Sequence, residues 1–278
     1  MLEAIFFGII QGLTEFLPIS STAHVRIFAE FFGMSEDPGA MFTAIMQIGT
    51  ELAVLIYFRK DIARIISAWF RKIIFRKDLH IEEAADARMG WLIILGSLPI
   101  VILGYLGQDA ITTNFRSLWL IASVLIIFGV ILGIADRYGK TDKSLKDLSI
   151  FHGILYGLAQ AMALIPGVSR SGATIAMGRL LGYNREAALR YSFLLALPAV
   201  FGSGLYELKS ALGESSTNAF TLTETFGATV VAFIVGYSVI AWLMKFISTK
   251  TFTPFVIYRV VLGTALLVAL ATGSINAQ

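Results

Sequence analysis

Two stretches of sequence determine the architecture of this chain: Pro18-Ile19-Ser20-Ser21-Thr22 and Pro166-Gly167-Val168-Ser169-Arg170-Ser171-Gly172. They interrupt two apolar regions, at residues 2–33 and 150–183. Either side of a break holds about 15 residues, roughly 22 Å of helix, which is too short to cross a bilayer core of about 30 Å. Each region therefore predicts a re-entrant hairpin, whose broken backbone must be surrounded by protein or by a wet cavity.

The composition is that of a membrane protein. Of the 278 residues, 56% are hydrophobic and 15% are charged, and the mean hydropathy is +0.76. Soluble domains carry about 25% charged residues, so a soluble fold is excluded. The absence of cysteine from the sequence excludes thiolate catalysis, thiolate zinc sites and disulfides. The start, Met1-Leu2-Glu3, has no basic segment, and we expect no cleaved signal peptide.

Six further stretches are long and apolar enough to span a membrane, since a span needs roughly 17–25 apolar residues. They lie at residues 40–58, 91–107, 118–135, 187–206, 225–244 and 254–272. The sequence therefore predicts an all-α polytopic membrane protein with six transmembrane helices and two re-entrant hairpins. We expect residues 1–278 to form one integral membrane domain.

The distribution of Lys and Arg predicts the orientation. The loops 59–90, 136–149 and 245–253 carry 14 of them, whereas the alternate loops 108–117 and 207–224 carry two. The basic side is predicted to be cytoplasmic. The net charge of +3 is therefore a topology signal and does not indicate nucleic-acid binding.

Part of the first basic loop has a second pattern. Between residues 62 and 73, apolar side chains recur at helical spacing with basic residues between them. This pattern predicts an amphipathic helix in the cytoplasmic interface. A solvated basic loop is the alternative.

With this orientation the first hairpin enters from outside and the second from the cytoplasm. A weak internal repeat agrees, because Gly8, Gln11 and Ser20 recur 149 residues later as Gly157, Gln160 and Ser169, and Pro18 recurs as Pro166. Three spans follow each hairpin, and this odd number inverts the second unit. We expect inverted repeats over about residues 1–138 and 149–278, with a site near mid-membrane where the two breaks meet.

Three ionisable residues, Glu15, His24 and Arg170, lie within the hairpins. Each costs about 2.5–3.5 kcal/mol at membrane depth, so a functional role is the default interpretation. Gln11 and Glu15 are four residues apart and share a helix face, and their oxygens suit Mg²⁺ or Ca²⁺. The alternative is a single buried polar contact between helices.

The hydroxyl residues Ser20, Ser21 and Thr22 open the second helix of the first hairpin. Such residues usually act as N-caps, but a helix N-terminus also offers free N–H groups to an anion. Ser21 and His24 are three residues apart and share a helix face. A hydroxyl beside an imidazole is the minimal nucleophile–base pair.

The second break combines several phosphate-binding features. Arg170 suits bidentate phosphate contact, and Gly172 permits close approach of the backbone. The hydroxyls of Ser169, Ser171 and Thr174 surround the helix start. The alternative is that Arg170 forms a structural salt bridge with Glu15.

Charge then points to the ligand. If Glu15 and Arg170 cancel, a diphosphate with roughly two to three negative charges needs a divalent cation to neutralise it. A site at mid-membrane depth also implies that the substrate carries a lipid tail.

At these segments the sequence resembles the bacterial undecaprenyl-diphosphate phosphatase family of the bacitracin-resistance type. The resemblance is carried by residues 11–24 (QGLTEFLPISSTAH) and 166–174 (PGVSRSGAT), with further agreement at Ser192-Phe193-Leu194-Leu195-Ala196-Leu197-Pro198, Pro254-Phe255 and Tyr258-Arg259. It runs nearly end to end.

The resemblance implies hydrolysis of undecaprenyl diphosphate to undecaprenyl phosphate, which recycles the lipid carrier for cell-wall synthesis. It also implies a divalent-metal requirement, residence in the bacterial plasma membrane and an active site open to the outer face. By position, Gln11 and Glu15 match the family's acidic motif, whose first residue is Glu or Gln. Ser21 and His24 match the catalytic hydroxyl and imidazole.

Arg170, with Ser169, Ser171 and Thr174, matches the family's phosphate-binding motif. Glu51, inside the span 40–58, receives no role from the resemblance.

We therefore expect a membrane phosphatase that acts on undecaprenyl diphosphate among membrane lipids, with a homodimer left open. Ser21 is the expected nucleophile and His24 its base, while direct attack by water or by His24 stays open. An inverted-repeat transporter or flippase of an anionic lipid is the rival, and it would need no nucleophile.

Overall fold

The computed structural model describes residues 1–32, 39–74, 80–107, 117–213 and 219–275. Within these ranges the chain is helical, and no β-strand occurs apart from one isolated bridge between Lys143 and Tyr183. The helices are α1 (Leu2–Thr14), α2 (Ser21–Phe31), α3 (Ala40–Tyr57), α4 (Arg59–Ile73), α5 (Ile81–Leu106), α6 (Leu118–Tyr138), α7 (Ile150–Ala161), α8 (Arg170–Leu180), α9 (Arg185–Gly213), α10 (Leu222–Ile247) and α11 (Thr253–Ala271). The all-α prediction is confirmed.

In the described ranges, five helices are long and apolar enough to cross a membrane: α5, α6, the Arg185–Tyr206 part of α9, α10 and α11. Their outer faces carry large apolar side chains, among them Ile127, Ile234 and Val261, which are 54%, 57% and 61% exposed. Water would not tolerate so extensive an apolar surface, so these faces contact lipid. The chain is a polytopic membrane protein.

The helices α3 and α4 meet at Phe58 with a bend of 80°. The predicted span 40–58 corresponds to α3, and α4 has the helical form predicted for residues 62–73. The alternative of a solvated loop is therefore wrong for that stretch. The predicted span 91–107 corresponds to the later part of α5, and the helix itself begins ten residues earlier, at Ile81. Hydropathy misses its first turns because they carry Glu82 and Glu83.

Both predicted interruptions are present. The helices α1 and α2 are separated by residues 15–20, and α7 is separated from α8 by a 3₁₀ turn, Met162–Leu164, and residues 165–169. Within the described ranges, the non-glycine residues with positive φ are Ser20 (75°) and Ser169 (69°). Each accepts a hydrogen bond from the N–H three residues later and so caps the helix that follows. The chain makes the same sharp turn at both breaks.

Each broken helix pair packs along a long helix from the other half of the chain. In the first pair α1 lies along α10, and in the second pair α7 lies along α5. Gly8 packs on the backbone of Ala228 and Gly157 on the backbone of Gly96, so closely that a Cβ at either glycine would collide. Small residues at such crossings let membrane helices approach backbone to backbone. These contacts fix the position of both breaks.

The far end of α8 is anchored by Arg179, which is 1% exposed. Its Nε donates to Asp136 Oδ1 at 3.1 Å, and its two terminal nitrogens donate to carbonyls that include those of Gly139 and Tyr183. Asp136 also accepts from Arg185 Nε at 2.6 Å. The anchor holds α8 in place and thereby directs its N-terminus, where Arg170 lies.

Candidate active site

The two breaks touch each other. Ser171 Oγ, at the start of α8, donates to the carbonyl oxygen of Leu17 in the first break at 3.2 Å. The helices α2 and α8 therefore begin close together, and the first N–H groups of a helix have no partner within it. Two helix N-termini that start near one point favour an anion there.

A buried arginine of α11 ties the breaks together. Arg259 is 0% exposed, and its Nη1 donates to the carbonyls of Pro18 and Val168, both at 3.1 Å. Its Nη2 donates to Gly167 at 2.8 Å, and its Nε donates to Leu125. Sequence reasoning gave Arg259 no role, although a charge inside the apolar stretch 254–272 was a usable signal.

The charged residues of the two breaks form one cluster. Arg170 Nη2 donates to Glu15 Oε1 at 2.8 Å and to Glu51 Oε1 at 2.6 Å. The salt bridge between Arg170 and Glu15, left open by the sequence, is therefore present. The sequence missed the contact with Glu51, which reaches the cluster from α3.

Glu15 holds two further neighbours. Its Oε2 accepts a hydrogen bond from Gln11 Nε2 at 2.7 Å and another from Ser21 Oγ at 2.6 Å. The predicted shared face of Gln11 and Glu15 is thus present, and Ser21 joins it from across the break. Gln11, Glu15, Ser21 and Arg170 are brought together as expected.

His24 has different neighbours. Its Nδ1 lies 2.7 Å from the carbonyl oxygen of Ser20, and its Nε2 lies 2.7 Å from the hydroxyl of Tyr258. Because a carbonyl oxygen can only accept, Nδ1 carries a proton, and in the neutral ring Nε2 therefore accepts from Tyr258. The expected hydrogen bond between Ser21 and His24 is not formed, because Ser21 turns to Glu15 and both ring nitrogens are engaged elsewhere.

The remaining predicted binding residues have mixed surroundings. Ser20 and Ser169 cap α2 and α8 and contact the hydroxyls of Thr22 and Ser171, respectively. Thr22 is exposed at the start of α2.

Two of the predicted binding residues do structural work in this arrangement. Thr174 is fully buried, and its hydroxyl is hydrogen-bonded to that of Ser192. The same hydroxyl also donates to the carbonyl oxygen of Arg170. A Cβ at Gly172 would lie 3.0 Å from Arg259 Nη1, so this glycine makes room for the arginine. Ser21, at the start of α2, contacts the charged cluster directly through its hydrogen bond to Glu15.

The oxygens around Glu15 suit a hard cation. Gln11 Oε1 is buried and has no hydrogen-bond partner among the described residues, an arrangement that costs free energy unless a ligand satisfies it. In the same ranges no group of three or more His, Cys, Asp or Glu side chains could hold a metal alone. A cation here would take oxygens from the substrate as well, and with that supplement the donor set fits Mg²⁺ or Ca²⁺.

Two capped helix starts, a guanidinium, a hydroxyl and a carboxylate thus converge within a bundle of apolar helices. This combination places charged and hydroxyl side chains at two helix N-termini inside a membrane protein, an arrangement that favours an anion. Residues 4–265 match the family described as "Bacitracin resistance protein BacA", and the chain belongs to that family.

Curated relatives resemble the chain over its whole length. A protein of Nocardioides sp. named "Undecaprenyl-diphosphatase" is 58% identical over 276 residues, which cover 99% of this chain and 98% of the relative. A Micrococcus luteus protein of the same name is 58% identical over 277 residues, 99% of each chain. "Undecaprenyl-diphosphatase 2" of Agrobacterium fabrum is 57% identical over 278 residues, with 99% of this chain and 98% of the relative covered.

Proposed function

We propose that the protein is an undecaprenyl-diphosphate phosphatase, which hydrolyses undecaprenyl diphosphate to undecaprenyl phosphate and inorganic phosphate and so recycles the lipid carrier for cell-wall synthesis. The observation that carries the proposal is the joining of Ser21, Glu15 and Arg170 across two touching breaks. Full-length relatives that bear the name of this enzyme support it. They favour the phosphatase over the rival transporter.

In the proposed reaction Ser21 Oγ attacks the terminal phosphorus and releases undecaprenyl phosphate. Its proton passes to Glu15, which already accepts its hydrogen bond, so the base assignment moves from His24 to Glu15. Water then hydrolyses the phosphoserine to regenerate Ser21 and release phosphate. His24, held by Tyr258 at the start of α2, positions the break that presents Ser21.

Arg170 and the N–H groups at the starts of α2 and α8 stabilise the negative charge on the transferred phosphoryl group. A divalent cation, Mg²⁺ or Ca²⁺, would be held by Gln11 and Glu15 and would neutralise charge on the diphosphate. The apolar surface around the bundle receives the polyprenyl tail among the membrane lipids.

The finer architecture belongs to the proposal. We take α3, α5, α6, α9, α10 and α11 as six transmembrane helices, and the α1–α2 and α7–α8 pairs as re-entrant hairpins of inverted repeats. The equivalent turns at Ser20 and Ser169 support this assignment, and so does the paired packing of Gly8 and Gly157.

The orientation follows from the excess of Lys and Arg in three loops, which puts those loops in the cytoplasm. That the site opens to the outer face of a bacterial plasma membrane is taken from the family resemblance. Because the natural sequence has no cysteine, single cysteines report orientation directly. In intact cells an impermeant maleimide should label Thr223→Cys and leave Lys250→Cys unlabelled. The reverse pattern would refute this orientation.

The central test is phosphate release from undecaprenyl diphosphate by the purified protein in detergent. Release should require Mg²⁺ or Ca²⁺, stop with EDTA and resume when excess cation is added back. Absence of release under every metal condition would refute the phosphatase. Full release in EDTA would instead remove the cation from the proposal and leave the phosphatase intact.

A further inference from the structure

Glu51 lies in the middle of α3, within a stretch whose composition resembles a simple membrane span. Its side chain is 0% exposed, and its Oε1 accepts from Arg170 Nη2 at 2.6 Å. A carboxylate at this depth is costly, and a structural pairing would be its simplest explanation. However, Glu15 already pairs with the same nitrogen of Arg170 at 2.8 Å.

Three polar atoms around this cluster have no hydrogen-bond partner within the part of the chain that the structure describes. They are Gln11 Oε1, Glu51 Oε2 and Arg170 Nη1, and all three are buried. Their side chains are linked through Glu15, since Gln11 donates to Glu15, and Glu15 shares Arg170 with Glu51. Two unsatisfied acceptors beside one unsatisfied donor suit a cation bound together with a phosphate oxygen.

The two carboxylates are close enough to share one ion. Glu15 Oε1 and Glu51 Oε1 both accept hydrogen bonds from Arg170 Nη2, so the two oxygens are at most about 5.4 Å apart, the sum of the two hydrogen-bond distances. Two oxygens on one Ca²⁺, each about 2.3–2.6 Å from it, are at most about 5 Å apart. Small side-chain adjustments would therefore bring both to one cation.

The charges favour the same role. Two carboxylates against one guanidinium leave an excess negative charge before substrate arrives, and a diphosphate adds roughly two to three more. A carboxylate that served only to neutralise Arg170 would make the binding of this substrate harder. A carboxylate that binds a divalent cation makes it easier. Gln11, four residues before Glu15, is neutral and does not supply that second charge.

We infer that Glu51 is a ligand of the divalent cation and provides, from α3, the second carboxylate that Gln11 does not. The inference rests on the proposed function and extends it to a residue outside both breaks. The cation site would then combine residues at the first break with a residue of the neighbouring helix α3.

Titration of the purified protein with Mn²⁺ tests the inference by electron paramagnetic resonance, with methylenediphosphonate as a diphosphate that cannot be hydrolysed. Glu51→Gln should raise the Kd for Mn²⁺ by about tenfold or more, because affinity follows the charge of the ligands. Glu82→Gln makes the same change on the exposed first turn of α5 and should leave the Kd unchanged. The double variant Q11E/E51Q, which keeps the number of carboxylates, should recover most of the affinity.

The outcomes distinguish failure of the proposed cation from failure of Glu51 as its ligand. If Glu51→Gln binds Mn²⁺ as tightly as Glu82→Gln while Glu15→Gln binds weakly, Glu51 is not a ligand and the proposed cation survives. If the unaltered protein does not bind Mn²⁺ with the probe, the cation fails and the inference fails with it. Should Glu51→Gln not fold, Glu51→Asp, which draws the carboxylate back by one carbon, replaces it, and a Kd for Mn²⁺ equal to that of Glu82→Gln would refute the inference.

Discussion

Ser21, the first residue of α2, donates a 2.6 Å hydrogen bond to Glu15, the first residue of the break between α1 and α2. This contact gives the hydroxyl a carboxylate acceptor at the place where two helix N-termini meet. It also means that the imidazole of His24, three residues further on, is not the group that receives the serine proton in this arrangement.

Removal of the hydroxyl should abolish catalysis and spare substrate binding. We expect Ser21→Ala to lower kcat for phosphate release by at least roughly a thousandfold, as loss of a catalytic nucleophile does. Binding of undecaprenyl diphosphate, measured by equilibrium titration, should persist. Ser238→Ala, the same change on the exposed face of α10, is the control. Normal turnover by Ser21→Ala would remove Ser21 from the mechanism.

Arg170 should not tolerate replacement by lysine. A guanidinium can bridge two carboxylates and still present a second nitrogen to phosphate, whereas an ammonium is a point charge. We expect Arg170→Lys to reduce kcat/KM by about a hundredfold or more. Arg137→Lys, at an exposed position at the end of α6, should retain full activity. Equal rates for the two variants would show that charge alone suffices.

Tyr258 should influence the reaction through His24. In Tyr258→Phe the imidazole Nε2 loses its donor, and one hydrogen bond corresponds to a roughly 3- to 10-fold effect. We expect kcat/KM to fall by that amount, with a larger fall for His24→Ala. Tyr237→Phe is the matched control, since the ring of Tyr237 contacts Tyr57 and Phe233. Activity that is unchanged in Tyr258→Phe would refute this positioning role.

The paired glycine contacts should be equally intolerant of a methyl group. Gly8→Ala and Gly157→Ala would each collide with the backbone of a neighbouring helix, and overpacking costs about 1–3 kcal/mol. Thermal unfolding in detergent should show a lowered Tm for both. Gly104→Ala, whose new Cβ would lie 3.6 Å from a Leu164 methyl group, should unfold like the unaltered protein. A large decrease in Tm in only one of the two variants, Gly8→Ala or Gly157→Ala, would contradict equivalent packing of the two halves.

Much of this arrangement could be predicted because its signals are local. The proline and hydroxyl residues at each break, together with two short apolar flanks, were sufficient to predict two broken helix pairs. The amphipathic pattern over residues 62–73 likewise predicted the helix that became α4. The start of α5 was missed because hydropathy records the apolar part of a helix and not the charged turns that continue it.

The site was only partly predictable because some of its contacts join distant parts of the chain. Glu51 meets Arg170 across 119 positions, and Tyr258 meets His24 across 234. The sequence shows that Glu51 is a charge within an apolar span, but not which side of the helix faces the interior. Spacing likewise places Ser21 and His24 on one helix face. It cannot show that Ser21 bonds to Glu15 and His24 to Tyr258 instead of to each other.

Arg259 limits how this architecture can move. Transporters built from inverted repeats work by rocking one unit against the other, which exposes a central site to each side in turn. Here one guanidinium bonds carbonyls of both breaks, at Pro18 and at Gly167 and Val168. Rocking that separated the breaks would strip those bonds in a dry interior, at about 1.5–3 kcal/mol for each charged hydrogen bond. By holding both breaks together, α11 favours a site that keeps its place during the reaction over one that opens alternately to each side of the membrane.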